Sequence, residues 1–571
     1  MAIDVREWVP GLRAVAGYKA AWLPRDLVAG IVLTTLLVPQ GMAYAELAGL
    51  PAITGLYTSI LCLLAYAVFG PSRILVLGPD SSLGPMIATV LVGSLAANAA
   101  PEERIALASS LGLLVGVMLV LAGLAKLGFL ADLLSHPTQV GYMNGLALTI
   151  LIGQLPKLFG FSVDGDGLIA EARGFVDGVA DGSTVPASLA IGVFGLALIV
   201  ALRRWLPRAP GVLVAVVLSI LAVPLFGLAD RGVDLVGALP PGLPTPALPH
   251  FSLSDLGVLA GGALGITLVS LTDTISTASA FAARTGQEVR GNQEMVGIGA
   301  ANVAASFFQG FPVSTSGSRT AVALQSGART QVTGVVGAIA IGLLLVFAPG
   351  LLRDLPQPTL AAVVIAAALS LADLDSLTNL WRRRRVEFGL AVAAFLGVAL
   401  LGVLPGIAIA VGLSVLNVFR RVWWPYQAVL GRTTGLSGYH DITVHPDGER
   451  LPGLLLFRFD APLIFANARV FRDRIRSFAQ HDPGLKWIVV AAEPITDVDT
   501  TAADVLEELD EELNARGINL VFAEMKSPVH DKIDRYQLTR TIDPGHFFPT
   551  IEDAIAAYRR ETGAEWTRQA E

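Results

Sequence analysis

Residues 309–320 read QGFPVSTSGSRT, and residues 74–82 read ILVLGPDSS. These two stretches carry the strongest signal of the fold. In each, a short extended run meets a chain breaker, Phe311-Pro312 in one and Gly78-Pro79 in the other, and hydroxyl side chains follow. Ser314, Thr315, Ser316 and Ser318 follow in the first, Ser81 and Ser82 in the second. Both patterns predict a short extended segment entering a half-helix with a serine-rich N-terminus. Both lie inside long apolar sequence. In lipid, irregular backbone survives only where protein or a water-filled cavity satisfies its polar groups.

The surrounding sequence reads as membrane spans, each needing about 20 mainly apolar residues. Such runs occur at 28–48, 105–125, 187–202, 211–228, 256–271, 331–350, 358–372, 386–400 and 402–419. Shorter or Gly/Pro-interrupted runs occur at 53–69, 80–97, 138–155, 294–309 and 318–328. The total is about fourteen segments. The two interrupted stretches belong to the third and the tenth, which are equivalent places if the membrane part divides seven plus seven. Interrupted helices in corresponding halves point to the central site of a transporter.

Composition sets the limits. Of 571 residues, 53% are hydrophobic and the mean hydropathy is +0.62, so most of the chain needs membrane lipid as its solvent. The net charge of −7 is uneven. From Gln427 onward there are 16 basic and 24 acidic residues, leaving 24 and 23 before it. The first part is therefore nearly neutral and the tail is an acidic soluble domain. These values exclude a disordered chain, a disulfide scaffold and a nucleic-acid binder. Cys62, the single cysteine, reads as a small buried hydrophobe. No cleavable signal is visible, and residues 1–26 read as a cytoplasmic, amphipathic lead-in on the membrane surface. The domain boundaries expected are 1–26, 27–424 for the membrane part and 425–571 for the soluble part.

Orientation follows from basic residues in short loops. With a cytoplasmic N-terminus, the inward loops hold Arg73, Lys126, Arg203, Arg204, Arg208, Arg284, Arg290, Arg329 and Arg382 to Arg385. The outward loops hold Arg104, Lys157, Arg173, Arg231 and Arg353. Twelve against five places both termini in the cytoplasm of a multi-pass cell (plasma or inner) membrane protein.

The candidate site residues follow. Two facing half-helix N-termini, each with unpaired N–H groups and about +0.5 charge, make an anion site before any side chain is counted. Arg319 adds a full positive charge; an arginine at membrane depth is expected to face a cavity or to pair with an acid such as Asp273. Asp273, in LVSLTDTISTASAF, is read as the only plainly central carboxylate. It can titrate, coordinate a sodium ion with Thr277 one turn later, or balance Arg319. Gln40 and Tyr44, four apart after Pro39, share a helix face and can donate hydrogen bonds to an anion.

At these residues the chain resembles the SulP family of sulphate permeases and anion exchangers, which includes prestin-like relatives. The likeness rests on VPQGMAYAELAGLPAITGLY (38–57), ILVLGPDSSLGPM (74–86) and the stretch from DTISTASAF at 273 to SGARTQ ending at 331. It implies a polytopic α-helical membrane protein of fourteen segments in two inverted seven-segment repeats, split into core and gate domains. It also implies a homodimer, and an anion site lined by Gln40, Tyr44, Ser316, Ser318 and Arg319, with Ser81, Ser82 and Gly317 at the adjoining half-helix starts. Asp273 falls where many proton-coupled members carry Glu and a sodium-coupled bicarbonate member carries Asp. The coupling ion, proton or sodium, stays open.

The tail is predicted to alternate strands (452–468, 485–495, 518–525) and helices (469–480, 500–516, 551–560), a small α/β domain. It resembles the cytoplasmic STAS domain of that family, a module for which a protein partner is an open expectation. Asp499 is read as the cap of the helix at 500, in preference to phosphorylation of Thr500. No P-loop, metal cluster, triad or paired-carboxylate site is apparent, so neither enzyme nor cofactor is expected. The leading expectation is a secondary active transporter of a small inorganic anion, sulphate first, proton coupled and elevator-like. Bicarbonate or dicarboxylate transport, or a channel or non-transporting protein on the same scaffold, are the alternatives.

Overall fold

The computed structural model describes residues 9–568 apart from 12–13, 15–16, 92–98, 130–134, 164–166, 207–209, 286–287 and 434. The first eight residues of the lead-in, the end of the segment expected at 80–97, and Arg208 lie outside the described residues. So does the side chain of Arg284.

The chain packs into two compact units, Met1–Ser414 and Val415–Glu571. In the first, the helices are α1 (Leu23–Leu47), α2 (Ala52–Phe69), α3 (Gly84–Val90), α4 (Pro101–Leu124), α5 (His136–Phe159), α6 (Leu168–Ala180), α7 (Pro186–Trp205) and α8 (Gly211–Phe226). The second half continues with α9 (Leu256–Thr285), α10 (Gly291–Ser306), α11 (Gly317–Gln325), α12 (Val332–Phe347), α13 (Gln357–Leu371), α14 (Leu374–Arg383), α15 (Arg385–Leu401) and α16 (Val403–Trp423). The unit boundary falls inside α16. Seven helices are long and apolar enough to cross a bilayer on length and composition among the described residues. Helices α6 and α14 bury no side chain and lie outside the span pattern, leaving the fourteen-segment architecture of two inverted repeats. The short half-helices α3 and α11 hold the third place of each repeat.

Two packing groups form within this unit. Helices α1, α2, α4, α10 and α12 pack on one another, and α5 packs with α13 and α15, as α7 does with α8 and α13. Where α1 crosses α2, a Cβ at Gly55 would lie 1.9 Å from the Gly41 carbonyl oxygen, so only glycine permits that approach. This contact holds the segment that carries Gln40 and Tyr44. Helix α9 runs to Thr285, well past the expected end at 271. Its hydroxyl-rich second half lowers the hydropathy, but Ser276 and Thr277 face a cavity, and Thr272 Oγ1 and Thr274 Oγ1 donate to the Leu268 and Ser270 carbonyls of the same helix.

Extended segments β1 (Leu77–Gly78) and β2 (Ser314–Thr315) pair antiparallel, Leu77 with Thr315 and Gly78 with Ser314. The backbone groups that flank them find partners within the protein, as the apolar surroundings require. Ser316 N donates to the Val76 carbonyl at 3.1 Å and Val76 N to Thr320 Oγ1 at 3.1 Å. Val313 N donates to Asn302 Oδ1 at 2.9 Å. Gln331 Nε2 reaches the Ser72 and Leu75 carbonyls at 2.8 and 2.9 Å. Asp26, buried at the start of α1, accepts from Arg329 N, Thr330 N, Thr330 Oγ1, Thr333 Oγ1 and Tyr18 Oη. It thereby clamps the connection between α11 and α12 from another part of the chain.

The soluble unit is an α/β sheet of β3 (Gln427–Arg432), β4 (Tyr439–Asp441), β5 (Glu449–Arg450), β6 (Leu454–Phe459), β7 (Trp487–Ala491), β8 (Asn519–Ala523), β9 (Phe547–Phe548) and β10 (Thr567–Arg568). The order is β10-β5-β3-β6-β7-β8-β9, parallel from β6 to β9, with β4 paired to β3. Helices α17 (Ala468–His481), α18 (Thr500–Ala515), α19 (Ser527–Arg535) and α20 (Ile551–Thr562) complete it. Asp499 caps α18, accepting from Ala502 N at 2.8 Å, and also accepts from Phe465 N at 2.8 Å, while Thr500 is exposed.

Candidate functional site: an anion cavity between two half-helices

The β1–β2 pair brings the starts of α3 and α11 together beside a cavity of about 1510 Å³. Among its lining residues are Gln40, Tyr44, Ser81, Ser82, Asp273, Thr277, Ser316, Gly317 and Ser318. The structure therefore assembles every sequence-predicted site residue at this cavity except Arg319, which sits behind the wall. The cavity extends to Arg203, Trp205, Leu206 and Pro210 at one end of the bundle. A second cavity, lined by Glu46, Arg104, Lys157 and Gln357, lies further along α1, and there Gln357 Nε2 donates to Glu46 Oε1 at 2.9 Å.

Helix α11 is capped by Ser316, whose Oγ accepts from Arg319 N at 3.5 Å and lies 3.1 Å from Ser318 Oγ. This arrangement matches the serine-rich start expected there. The other half-helix differs. A turn spans Ser81–Leu83 before α3 begins, and Asp80 organises it: Asp80 Oδ1 accepts from Ser82 N at 3.0 Å and Ser82 Oγ at 2.8 Å.

Arg319 is wholly buried, and its Nε, Nη1 and Nη2 have no hydrogen-bond acceptor. A buried guanidinium with orphaned N–H groups calls for an acceptor of negative charge. The ion pair expected with Asp273 is instead one with Asp80, whose Oδ2 lies 3.7 Å from Arg319 Nη2. That separation is too long for a hydrogen bond, so the pair neutralises charge without satisfying the donors. Gly78 packs closely against the guanidinium: a Cβ there would lie 2.7 Å from Nη1.

Asp273, which reads from sequence as the only plainly central carboxylate, has a neighbour: Asp80 is a second. Ser82 Oγ touches both, at 2.8 Å to Asp80 Oδ1 and 3.1 Å to Asp273 Oδ2. Asp80 lies in the ILVLGPDSS motif but precedes the helix, outside the long apolar runs in which a buried charge is conspicuous. Among the described residues no group of His, Cys, Asp and Glu could hold a metal ion in the manner of a three-ligand cluster. The positive features an anion meets here are the Arg319 guanidinium, the N–H groups at the start of α11 and, at the far end of the cavity, Arg203; the carboxyls beside the site are Asp80 and Asp273.

This arrangement, half-helices paired through extended segments over a buried arginine, can be compared with known proteins. The sulfate permease family description matches residues 23–394, and the STAS domain description matches 445–554. The chain belongs to the sulfate permease family. Among its permease relatives, "Probable sulfate transporter MT1781" of Mycobacterium tuberculosis is 43% identical over 554 residues, covering 97% of this chain and 98% of the relative. "Sulfate transporter 4.1, chloroplastic" of Arabidopsis thaliana is 31% identical, covering 96% of this chain and 83% of the relative. In fold, the permease chain is similar to SLC26A9, with a TM-score of 0.90 at 23% identity, over 98% of this chain and 94% of that one. It is also similar to the transmembrane domain of a cyanobacterial bicarbonate transporter, BicA, with a TM-score of 0.60 at 24% identity, over 69% and 99%.

Proposed function

We propose that this permease is a secondary active transporter that carries sulphate inward across the cell membrane, coupled to protons, with both termini cytoplasmic. The observation that carries this proposal is the buried Arg319 guanidinium, without hydrogen-bond acceptors, beside the N-terminus of α11 and a polar cavity. An oxyanion entering that cavity meets a fixed positive charge, the positive end of a helix dipole, and hydroxyl donors on Ser316, Ser318 and Tyr44. The names of the relatives at 43% and 31% identity support sulphate as the anion.

The driving force follows from charge. Moving one negative charge inward against a negative-inside potential costs about 2.3 kcal/mol per 100 mV, so a divalent anion needs two accompanying positive charges for neutral entry. Asp273 carries one as a proton. The cavity end bearing Arg203 and Trp205 is cytoplasmic by the basic-loop rule, which makes this an inward-open form. Alternating access then moves the packing group holding α1 against the one holding α13, elevator fashion, as two copies of the chain in a dimer.

Uptake of labelled sulphate into proteoliposomes tests this, with competing anions and with imposed proton or sodium gradients. Saturable accumulation under an inward proton gradient, lost in Asp273→Asn more than anion binding is, is the expected result. Accumulation driven by sodium alone, or a non-saturating conductance, overturns it.

A further inference from the structure

We propose that Asp80 is a tethered competitor of the transported anion for Arg319, and that it carries the second proton of the cycle. This inference rests on the functional proposal above and deepens it.

Three observations carry it. Asp80 lines the cavity whereas Arg319 does not, so an anion approaching the guanidinium from the cavity arrives where the Asp80 carboxylate stands. The carboxylate is 3.7 Å from Nη2, close enough to neutralise it and too far to satisfy its donors. That is a counter-ion that gives way to a better ligand. Finally, Ser82 Oγ joins Asp80 to Asp273, at 2.8 and 3.1 Å. A serine hydroxyl has one proton, so in the empty carrier it donates to one carboxylate at a time; once the other carboxyl takes a proton it donates to Oγ, and both contacts are satisfied together. The charged groups facing Asp80 are Arg319 from α11 and Asp273 from α9; the phenols within electrostatic range are Tyr44 from α1 and Tyr142 from α5.

The charges of the cycle then balance. In the empty carrier, Arg319 is positive and Asp80 and Asp273 are negative, a sum of −1. In the loaded carrier, each carboxylate has taken one proton from the outside solution, Arg319 is positive and sulphate is doubly negative, again a sum of −1. On the inside each carboxyl returns its proton to water as sulphate leaves, and Asp80 pairs with Arg319 again. The moving unit has the same charge in both directions, so neither stroke works against the membrane potential. A carrier with Asp273 as its sole proton site would reach −2 when loaded.

The test is the proton-to-sulphate ratio, read from the zero-flux gradient in proteoliposomes, with sulphate affinity measured in detergent from pH 5 to pH 8 alongside. The wild type is expected to move two protons per sulphate without current. Asp80→Asn is expected to move one proton, to become electrogenic, and to bind sulphate roughly ten-fold tighter at pH 8, because an opposing charge a few Å away is removed. Asp80→Ser should do the same. A wild-type ratio of one, or Asp80 variants with the wild-type ratio and pH dependence, overturns the role of Asp80, and the wild-type ratio needs no variant to fold. If protons drive no accumulation in the wild type, or Arg319→Ala binds sulphate normally, it is the functional proposal that fails.

Discussion

Gly78→Ala adds one methyl group against the charge that defines the site. Built on the existing backbone, the new Cβ lies 2.7 Å from Arg319 Nη1, 3.3 Å from Cζ and 3.5 Å from Nη2. Ordinary contact needs the guanidinium to retreat by about 1 Å, and because Arg319 is fully buried its neighbours must shift with it. Overpacking of this kind costs about 1–3 kcal/mol of stability. For binding, retreat from about 4 to about 5 Å at an effective dielectric of 20 costs about 0.8 kcal/mol per unit of anion charge. A divalent anion therefore loses about 1.7 kcal/mol, roughly 15-fold in Kd. Calorimetric titration of the purified protein with sulphate reads this directly. Gly261→Ala, on α9 with nothing within 4 Å of its Cβ, is the control and should stay near the wild type. If Gly78→Ala binds sulphate as the wild type does, the buried guanidinium does not set the affinity and the reasoning is refuted.

Two further predictions concern stability. Asp26→Ala strips a buried acceptor from donors on Arg329, Thr330, Thr333 and Tyr18, and should cost about 3 kcal/mol, seen as a lower melting temperature in detergent. In the soluble unit, burial raises the pKa of Asp510 to about 6, from an ordinary value of 3.8. The folded state therefore holds the proton more tightly, so this contribution to stability is present at low pH and is lost as pH rises from about 4 to about 6. Asp510→Asn, which still accepts from Asn514, should stabilise that unit by about 1–2 kcal/mol at pH 7.5 and flatten its pH dependence between 4 and 6. A melting curve equally pH-dependent in the variant argues against Asp510.

Much of this was legible because lipid is an exacting solvent. A Pro or Gly break in an apolar run has to be answered by protein or a water-filled cavity, so the two interrupted stretches point to the cavity that lies beside β1 and β2. The start of α11 could be read down to its cap because Ser316, Gly317 and Ser318 form a local signal. The partner of Arg319 could not. Asp80 and Asp273 are both distant in sequence, and only the β1–β2 register decides that Asp80 is the nearer. In the soluble unit the buried strands β6, β7 and β8 were visible as apolar runs, whereas β3, β5 and β9 were not. Their residues are short or mixed in polarity, and they are strands because neighbours supply the hydrogen bonds.

The central claim is that a transported anion is held by Arg319 at the start of α11. Equilibrium sulphate binding to purified wild type and Arg319→Ala measures it most directly. Truncating one partner of a buried charge pair costs about 2.3 kcal/mol or more, so the Kd of the variant is expected to be at least roughly 50-fold weaker. Equal affinity in the two proteins would contradict it.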